Sequence, residues 1–416
     1  MMAAETTRIR PTNSHPAAFM ILILPWGIIT GYIGVAVAYF LAQAGVTTEQ
    51  IAGLLALGFI PQTWKFLWAP IVDTTLNQRK WYVLSALVCG VGTLAISVIP
   101  PQASSVLLLA AVMLVTYVAG TFLCMSVESL MAYATPAREK GRAGGWLQTG
   151  NLGGSGVGGG TGLWIAMHTD KTVAGALLGA ACLLCALALR LVHEPPRVGC
   201  EGRFIHELAN VLRDLWQVAC SRIGFLALLI FFLPIGTGAA AGLFSAIAND
   251  WYASADTVAL VVGILGGLAS AAGCITGGYL CDRMDRKMAY GLYGLLQALA
   301  AIAMAIAPRT ESMFVAFTLA YGLINGLAYA GFTAVTLEAI GLGAAATKYT
   351  VFASLSNLPI GYMTFVDGWV QTHWGSGAML CAEAGICLTS LLAFVLVVAT
   401  TKRTARVGDF GHLNRD

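Results

Sequence analysis

Twelve apolar stretches of spanning length, parted by short polar breaks, constrain this chain more than any other feature. They cover about 17–42, 50–70, 81–99, 106–134, 144–167 and 172–192, then 223–247, 257–280, 288–307, 313–340, 350–372 and 378–400. In lipid a backbone satisfies its own N–H and C=O groups only by closing into a helix, and about 20 apolar residues cross the hydrocarbon. Composition agrees, with 10% charged residues where soluble domains carry about 25%. The fold class expected is an all-α membrane protein of twelve transmembrane helices. The polar first residues have no small-residue cleavage site, so the first span reads as retained. A net charge of +3, with no basic run interleaved with aromatics, excludes nucleic acid as a partner and leaves the lipid bilayer.

Lys and Arg orient the spans. Of 23 such residues, the turns that join odd spans to the next even span hold only Lys171 and Arg309, and Lys65 lies inside a span. The rest fall in the tails, the even-to-odd turns or the link between halves, which places both termini in the cytoplasm. That link, 193–222, reads as a polar start followed by an amphipathic helix near 204–218. The domains expected are a six-helix bundle over 1–192, the cytoplasmic link 193–222, and a second six-helix bundle over 223–416.

The halves read as copies. Residues 24–27 (LPWG) match 233–236 (LPIG), Asp73 matches Asp282, Glu128 matches Glu338 and Asn151 matches Asn357, at offsets of about 206–210. Parallel repeats of this kind, with a site between the halves near the midplane, are characteristic of secondary transporters. Pro25, Pro234 and Pro359 interrupt spans and would bend helices, as passive kinks or as hinges. Gly150, Gly154, Gly158 and Gly162 step by four along the fifth span, so one helix face can be approached closely by a neighbour.

Acids inside spans are functional candidates because lipid does not tolerate them unpaired. Glu128 and Glu338 lie about seven residues inside their helix ends. Lys65 lies at the depth of Glu128, so the two can pair; the alternative for Lys65 is to snorkel past Trp64 and Trp68 to the interface. The position matching Lys65 in the second half is Cys274. Glu338 is therefore expected without a cation, desolvated and able to carry a proton. Asp367 is a third buried acid, and Glu383 reads as interfacial. Asn151 and Asn357 can bind substrate or tie helices together.

Residues 64–80, WKFLWAPIVDTTLNQRK, form a hairpin at the membrane surface. Asp73 ends one span, and Arg79 and Lys80 start the next. A second hairpin carries Asp282, Arg283, Arg286 and Lys287. Such charges can latch one conformation or act only as topogenic signals. Cys182 and Cys185 form a CxxC inside an apolar run without a second pair, and all six His residues lie outside the spans. No metal, cofactor or catalytic residue is expected, which tells against a membrane-embedded enzyme.

The second hairpin resembles the cytoplasmic motif of the major facilitator superfamily. In the first, Lys65-Phe66-Leu67-Trp68-Ala69-Pro70 followed by Asp73 is similar to the signature of AmpG-type permeases and acetyl-coenzyme A transporters. Residues 136–141 and Gly368-Trp369 are similar too. The chain departs from that group at Ser126-Val127-Glu128, where the group carries Asp. The resemblance implies two pseudo-symmetric bundles in the inner membrane of a cell. It implies proton-driven uptake of a mid-sized polar solute, muropeptide-like or siderophore-like, by a monomeric symporter. Lys65 and Asp73 match the signature and Glu128 falls near the group's span-four acids. Export of a drug or metabolite is the alternative.

Overall fold

The computed structural model describes residues 15–46, 50, 54–55, 57–194, 209, 213, 232–339 and 345–412, and every regular element among them is helical. The amphipathic helix expected near 204–218 lies almost wholly outside the described residues, as does the start of the seventh span. Helix α1 (Ala17–Gly31) continues through a π-helical stretch, Tyr32–Val37, and a last segment, Ala38–Gln43. The second span comes in pieces: α2 (Phe59–Trp64), a 3-10 turn at Lys65–Leu67, and α3 (Ala69–Thr74). Pro70 stands in the first turn of α3, where its missing N–H costs nothing and a new helix can begin.

Next come α4 (Gln78–Val98) and α5 (Val106–Ala134). The fifth span is α6 (Lys140–Gln148), a π-helical Thr149–Gly153 and α7 (Gly154–His168), and α8 (Lys171–Leu184) follows. The second half contributes α9 (Gly266–Cys281), α10 (Arg286–Ile306), α11 (Glu311–Ala339) and α12 (Ala345–His412). Helix α12 is two helices joined at Gly375, whose φ of 82° is not helical. Eight stretches among the described residues are long and apolar enough to cross a membrane, and the last of them, Asn357–Leu396, holds parts of two expected spans.

Both hairpins restart their helices by the same local device. Asn77 accepts a hydrogen bond from the Lys80 N–H (2.9 Å), and Asp285 accepts one from the Met288 N–H (3.0 Å), each side chain satisfying an orphan donor of the first turn. The elements that follow match in length: α4 and α10 are each 21 residues, and α5 and α11 are each 29. The Tyr82 hydroxyl of α4 donates to the Leu22 carbonyl (2.9 Å), as the Tyr290 hydroxyl of α10 donates to the Ile235 carbonyl (3.0 Å).

The three prolines behave differently. Pro25 is buried within an uninterrupted α1, and Pro359 lies within α12. Pro234 does not bend a helix but sits in an unwound stretch, 233–238, where Gly236 and Gly238 take left-handed φ of 62° and 67°. Two such residues end helical bonding, and only glycine adopts them without strain. Tyr362 donates to the Phe232 carbonyl (2.7 Å) and Tyr290 to that of Ile235 (3.0 Å), so side chains take over work that the helix no longer does.

The glycine face of the fifth span packs on α1 as its spacing predicts. A Cβ on Gly154 would lie 3.3 Å from the Gly27 Cα; one on Gly150, Gly158 or Gly162 would collide with Met20, Ile28 or Tyr32 respectively. A second glycine row on the same span meets α9. Cβ atoms at Gly141 and Gly145 would strike the backbone of Gly278 and Cys274, and one on Gly156 would lie 3.3 Å from the Gly267 Cα. The fifth span is therefore clasped on both sides by backbone.

Gly158→Val should lower the thermal unfolding midpoint, since forcing extra methyl groups into such a contact costs about 1–3 kcal/mol or more. Gly361→Ala, in open space within α12, should leave the midpoint unchanged or raise it slightly. Fluorescence-detected thermal scans in detergent would check both, and equal effects would contradict the packing.

Candidate functional site

The break between α2 and α3 leaves Lys65 in a 3-10 turn aimed at α5. Its Nζ lies 3.2 Å from Oε1 and 3.4 Å from Oε2 of Glu128. The two side chains are 3% and 9% exposed, so Lys65 does not snorkel outward. Trp68, Ala69, Val72 and Met125 pack as an apolar cluster alongside, and the Trp68 indole donates to the Thr121 hydroxyl (3.0 Å). The pair is thus held in dry surroundings, where losing one partner costs far more than the pair contributes. One helical turn from Lys65, the Ser354 hydroxyl of α12 donates to the Gln62 carbonyl (3.3 Å), bringing the second half of the chain against this site.

Glu338 is not in the environment expected of it. It lies in the last turn of α11, and its carboxylate is 48% exposed and paired with Arg286 at 2.9 Å. The match to Glu128 misleads because the hairpin cation reaches back to cover the second acid. That removes both the desolvation and the missing partner on which its proton-carrying role rested.

Glu338 belongs instead to a closure at the hairpin end. Asp282 accepts from the Gly141 N–H (2.8 Å), the Arg142 N–H (3.0 Å) and the Arg142 guanidinium (3.0 Å), while Arg286 stands 3.5 Å away. One second-half carboxylate therefore receives both the N-terminal donors and the cation of a first-half helix, α6, a doubly favourable arrangement. Arg286 also donates to the Ala137 carbonyl, and Lys140 donates to that of Leu337. Burial, and then Arg286, push the Lys140 ammonium below its ordinary range. Gln148 donates to the Thr333 hydroxyl (3.0 Å) and accepts from Asn151 (2.9 Å), extending the closure inward.

The remaining expected residues divide. Arg79 stays within the first half, donating to the Val192 carbonyl (2.6 Å), and Glu194 accepts from the Gln78 N–H (2.6 Å). Lys80, Arg283 and Lys287 are exposed, and Asn357 is partly buried in α12. Asp73 lies in α3 with its side chain outside the described set. Asp367 is fully buried, as expected, and neither oxygen has a hydrogen-bond partner among the described residues. Glu383 is not interfacial: it is 4% exposed and accepts from the Tyr321 hydroxyl at 2.7 Å.

Arg142, Ser354, Gln297 and Tyr321 were not singled out in the sequence. Arg142 stands in a basic run whose topogenic role accounted for it, and the other three acquire meaning only from neighbours on distant helices.

Comparison with known proteins completes the picture. The pattern described as Major Facilitator Superfamily matches residues 17–363. The anhydromuropeptide permeases of Escherichia coli strains K12 and O157:H7 are each 24% identical over 421 aligned positions, covering 95% of this chain and 82% of theirs. The E. coli fucose:proton symporter FucP superimposes with a TM-score of 0.71 at 14% identity, over 92% of this chain and 98% of that one. The proton:xylose symporter XylE gives 0.71 at 15%, over 91% and 95%. The human organic anion transporter MFSD10 gives 0.65 at 16%, over 91% and 98%. These structures share the fold.

Lys65→Ala should destabilise the protein by about 3–5 kcal/mol by stranding Glu128, whereas Lys65→Met with Glu128→Leu should recover most of that loss. Thermal unfolding of the three variants checks it; additive losses would show that the two charges act separately. Asp282→Asn should speed labelling of Cys281, buried beneath the closure, several-fold over that of exposed Cys381. Unchanged labelling would show that Asp282 does not hold the hairpin end shut.

Proposed function

Because the chain belongs to the major facilitator superfamily, we propose that it imports a mid-sized polar solute coupled to protons, by alternating access between two six-helix bundles. It is a multi-pass membrane transporter of small molecules, not an enzyme. We assign the bundles to residues 1–192 and 223–416 with 193–222 as the link. Support comes from the paired helix lengths, the paired caps and the paired tyrosine bonds to the Leu22 and Ile235 carbonyls. The hairpin end is assigned to the cytoplasm of an inner-membrane protein on the distribution of Lys and Arg.

The observation that carries the reading is the buried Lys65–Glu128 pair, 3.2 Å apart between the broken second span and α5 of the first half and close to α12 of the second. A charge that lipid would reject is retained here, where a structural helix needs none. Its partner is replaceable: a solute carboxylate reaching Lys65 releases Glu128, and the exchange changes the charge at the contact between α2 and α12. That couples solute binding to the packing of one half on the other. At the hairpin end the Arg286–Glu338 pair is solvent-exposed and cheap to break, while the more buried bonds to Asp282 hold the closed state.

The similarity to anhydromuropeptide permeases supports the substrate class, and an anhydromuropeptide supplies the carboxylates and polar bulk this exchange needs. Cells expressing the chain should accumulate labelled anhydromuropeptide, with the uptake abolished by a protonophore and by Lys65→Ala, and should not accumulate a ferric siderophore. Protonophore-insensitive uptake would remove the coupling, and siderophore uptake alone would replace the substrate.

A further inference from the structure

The second half contains a polar cluster that the site above does not use. Asp367 lies on α12 before the Gly375 break, and Glu383 after it. Gln297 comes from α10 and Tyr321 from α11, and all four are at most 4% exposed. Glu383 accepts from the Tyr321 hydroxyl (2.7 Å) and from the Ala240 N–H (3.4 Å), just beyond the unwound stretch 233–238. Among the described residues neither oxygen of Asp367 has a hydrogen-bond partner, and the Gln297 amide lies beside the Tyr321 hydroxyl. A small cavity, with room for about one water, joins Pro234, Gly236 and Thr237 to Gln297, Glu383 and Cys387. Among the described residues no Lys, Arg or His forms an ion pair with either acid.

We infer that Asp367 and Glu383 form a shared proton site, with Tyr321 and the opened backbone at 233–240 supporting the charge whenever one of them ionises. Two carboxylates cannot both stay ionised in an apolar interior without a cation. Only one of these two is provided with donors. Glu383, holding the Tyr321 O–H and the Ala240 N–H, is built to bear a negative charge, whereas Asp367, with no donor, is built to hold the proton. The groups facing the pair are neutral at ordinary pH: Tyr321 from α11, Gln297 from α10, Cys387 from α12 itself, and the backbone of the unwound segment. Among the described residues no cation pairs with it to replace the proton as a counter-charge.

The arrangement also suggests how a proton could be admitted and passed on. Glu383 and Asp367 sit on opposite sides of the only non-helical residue inside α12, and Glu383 touches the segment that Gly236 and Gly238 hold open. A change of angle at Gly375, or rewinding of 233–238, would separate Glu383 from its donors. The proton would then leave a carboxyl oxygen of one acid for water on the newly opened side, leaving a carboxylate that must be reprotonated before the site can close. The proposal rests on the proton-coupled reading and relocates its proton from exposed Glu338 to this buried pair.

Infrared difference spectroscopy on the full-length protein in liposomes, titrated with pH, tests this without a substrate. The wild type should lose a neutral-carboxyl carbonyl band as pH rises, Asp367→Asn and Glu383→Gln should each remove or shift it, and Glu338→Gln should leave it. A band insensitive to both replacements, or one that responds to sodium rather than to pH, would overturn the proposal. Thermal scans establish that the two variants are folded, and Tyr321→Phe should shift the band's midpoint without abolishing it. In the same liposomes, Asp367→Asn should lose pH-gradient-driven accumulation of labelled anhydromuropeptide at least tenfold while keeping its exchange in counterflow. Intact infrared behaviour with no accumulation by the wild type would fault the substrate reading alone. A wild-type gradient response that survives in both variants would fault the pair.

Discussion

A charge removed from water must meet its opposite inside the protein, and the first half of this molecule is arranged around one such meeting. Lys65 reaches Glu128 from a break in its span: a helix ends at Trp64, residues 65–67 tighten into a 3-10 turn, and a new helix starts beside Pro70. An unbroken helix would set Lys65 at another angle, toward lipid or solvent. The tryptophans that flank it, one exposed and one packed beside the pair, mark the boundary between those two environments. Burial then makes the interaction an all-or-nothing matter, since separation must be compensated by water or by another charge.

Glycine provides the complementary device. Helices in lipid gain little from hydrophobic exclusion and are held by close packing. The fifth span meets α1 and α9 largely through backbone on two faces, with few side chains between. Side chains that interdigitate lock a single geometry, whereas glycine rows present smooth surfaces. The element lying against both halves is therefore the one least keyed to either. The specific bonds lie at its end instead, where α6 presents its N–H groups and Arg142 to Asp282.

The two halves are alike in scaffold and unlike in chemistry. Caps, helix lengths and tyrosine props recur, but the cation that answers Glu128 is Lys65 from within the bundle, and the cation that answers Glu338 is Arg286 from the hairpin. The second half instead buries two acids, Asp367 and Glu383, that have no ion-pair partner among the described residues, close to the unwound stretch 233–238. A few polar residues distinguish the charge pair of the first half, Lys65 with Glu128, from the buried acids Asp367 and Glu383 of the second.

What the chain determines by itself is what local chemistry dictates. Lipid forces apolar runs into helices, Asn77 and Asp285 fix where two of them begin, and the four-residue glycine step marks a face for close approach. The depth match of Lys65 and Glu128 is equally legible, because rise per residue is constant along a helix. Tertiary structure decided the rest. Nothing local distinguishes Glu338 from Glu128, since its exposure depends on Arg286 folding back from another helix. Likewise Pro234 opens its helix where Pro25 does not, because neighbouring Gly236 and Gly238 can adopt left-handed φ and Tyr290 and Tyr362 can satisfy the freed carbonyls. Glu383 becomes a buried partner of Tyr321 only when α11 and α12 pack together. Periodicity sets where a side chain sits on its own helix; which groups face it is set by other helices, 52 residues away for Arg286 and Glu338 and 62 for Tyr321 and Glu383.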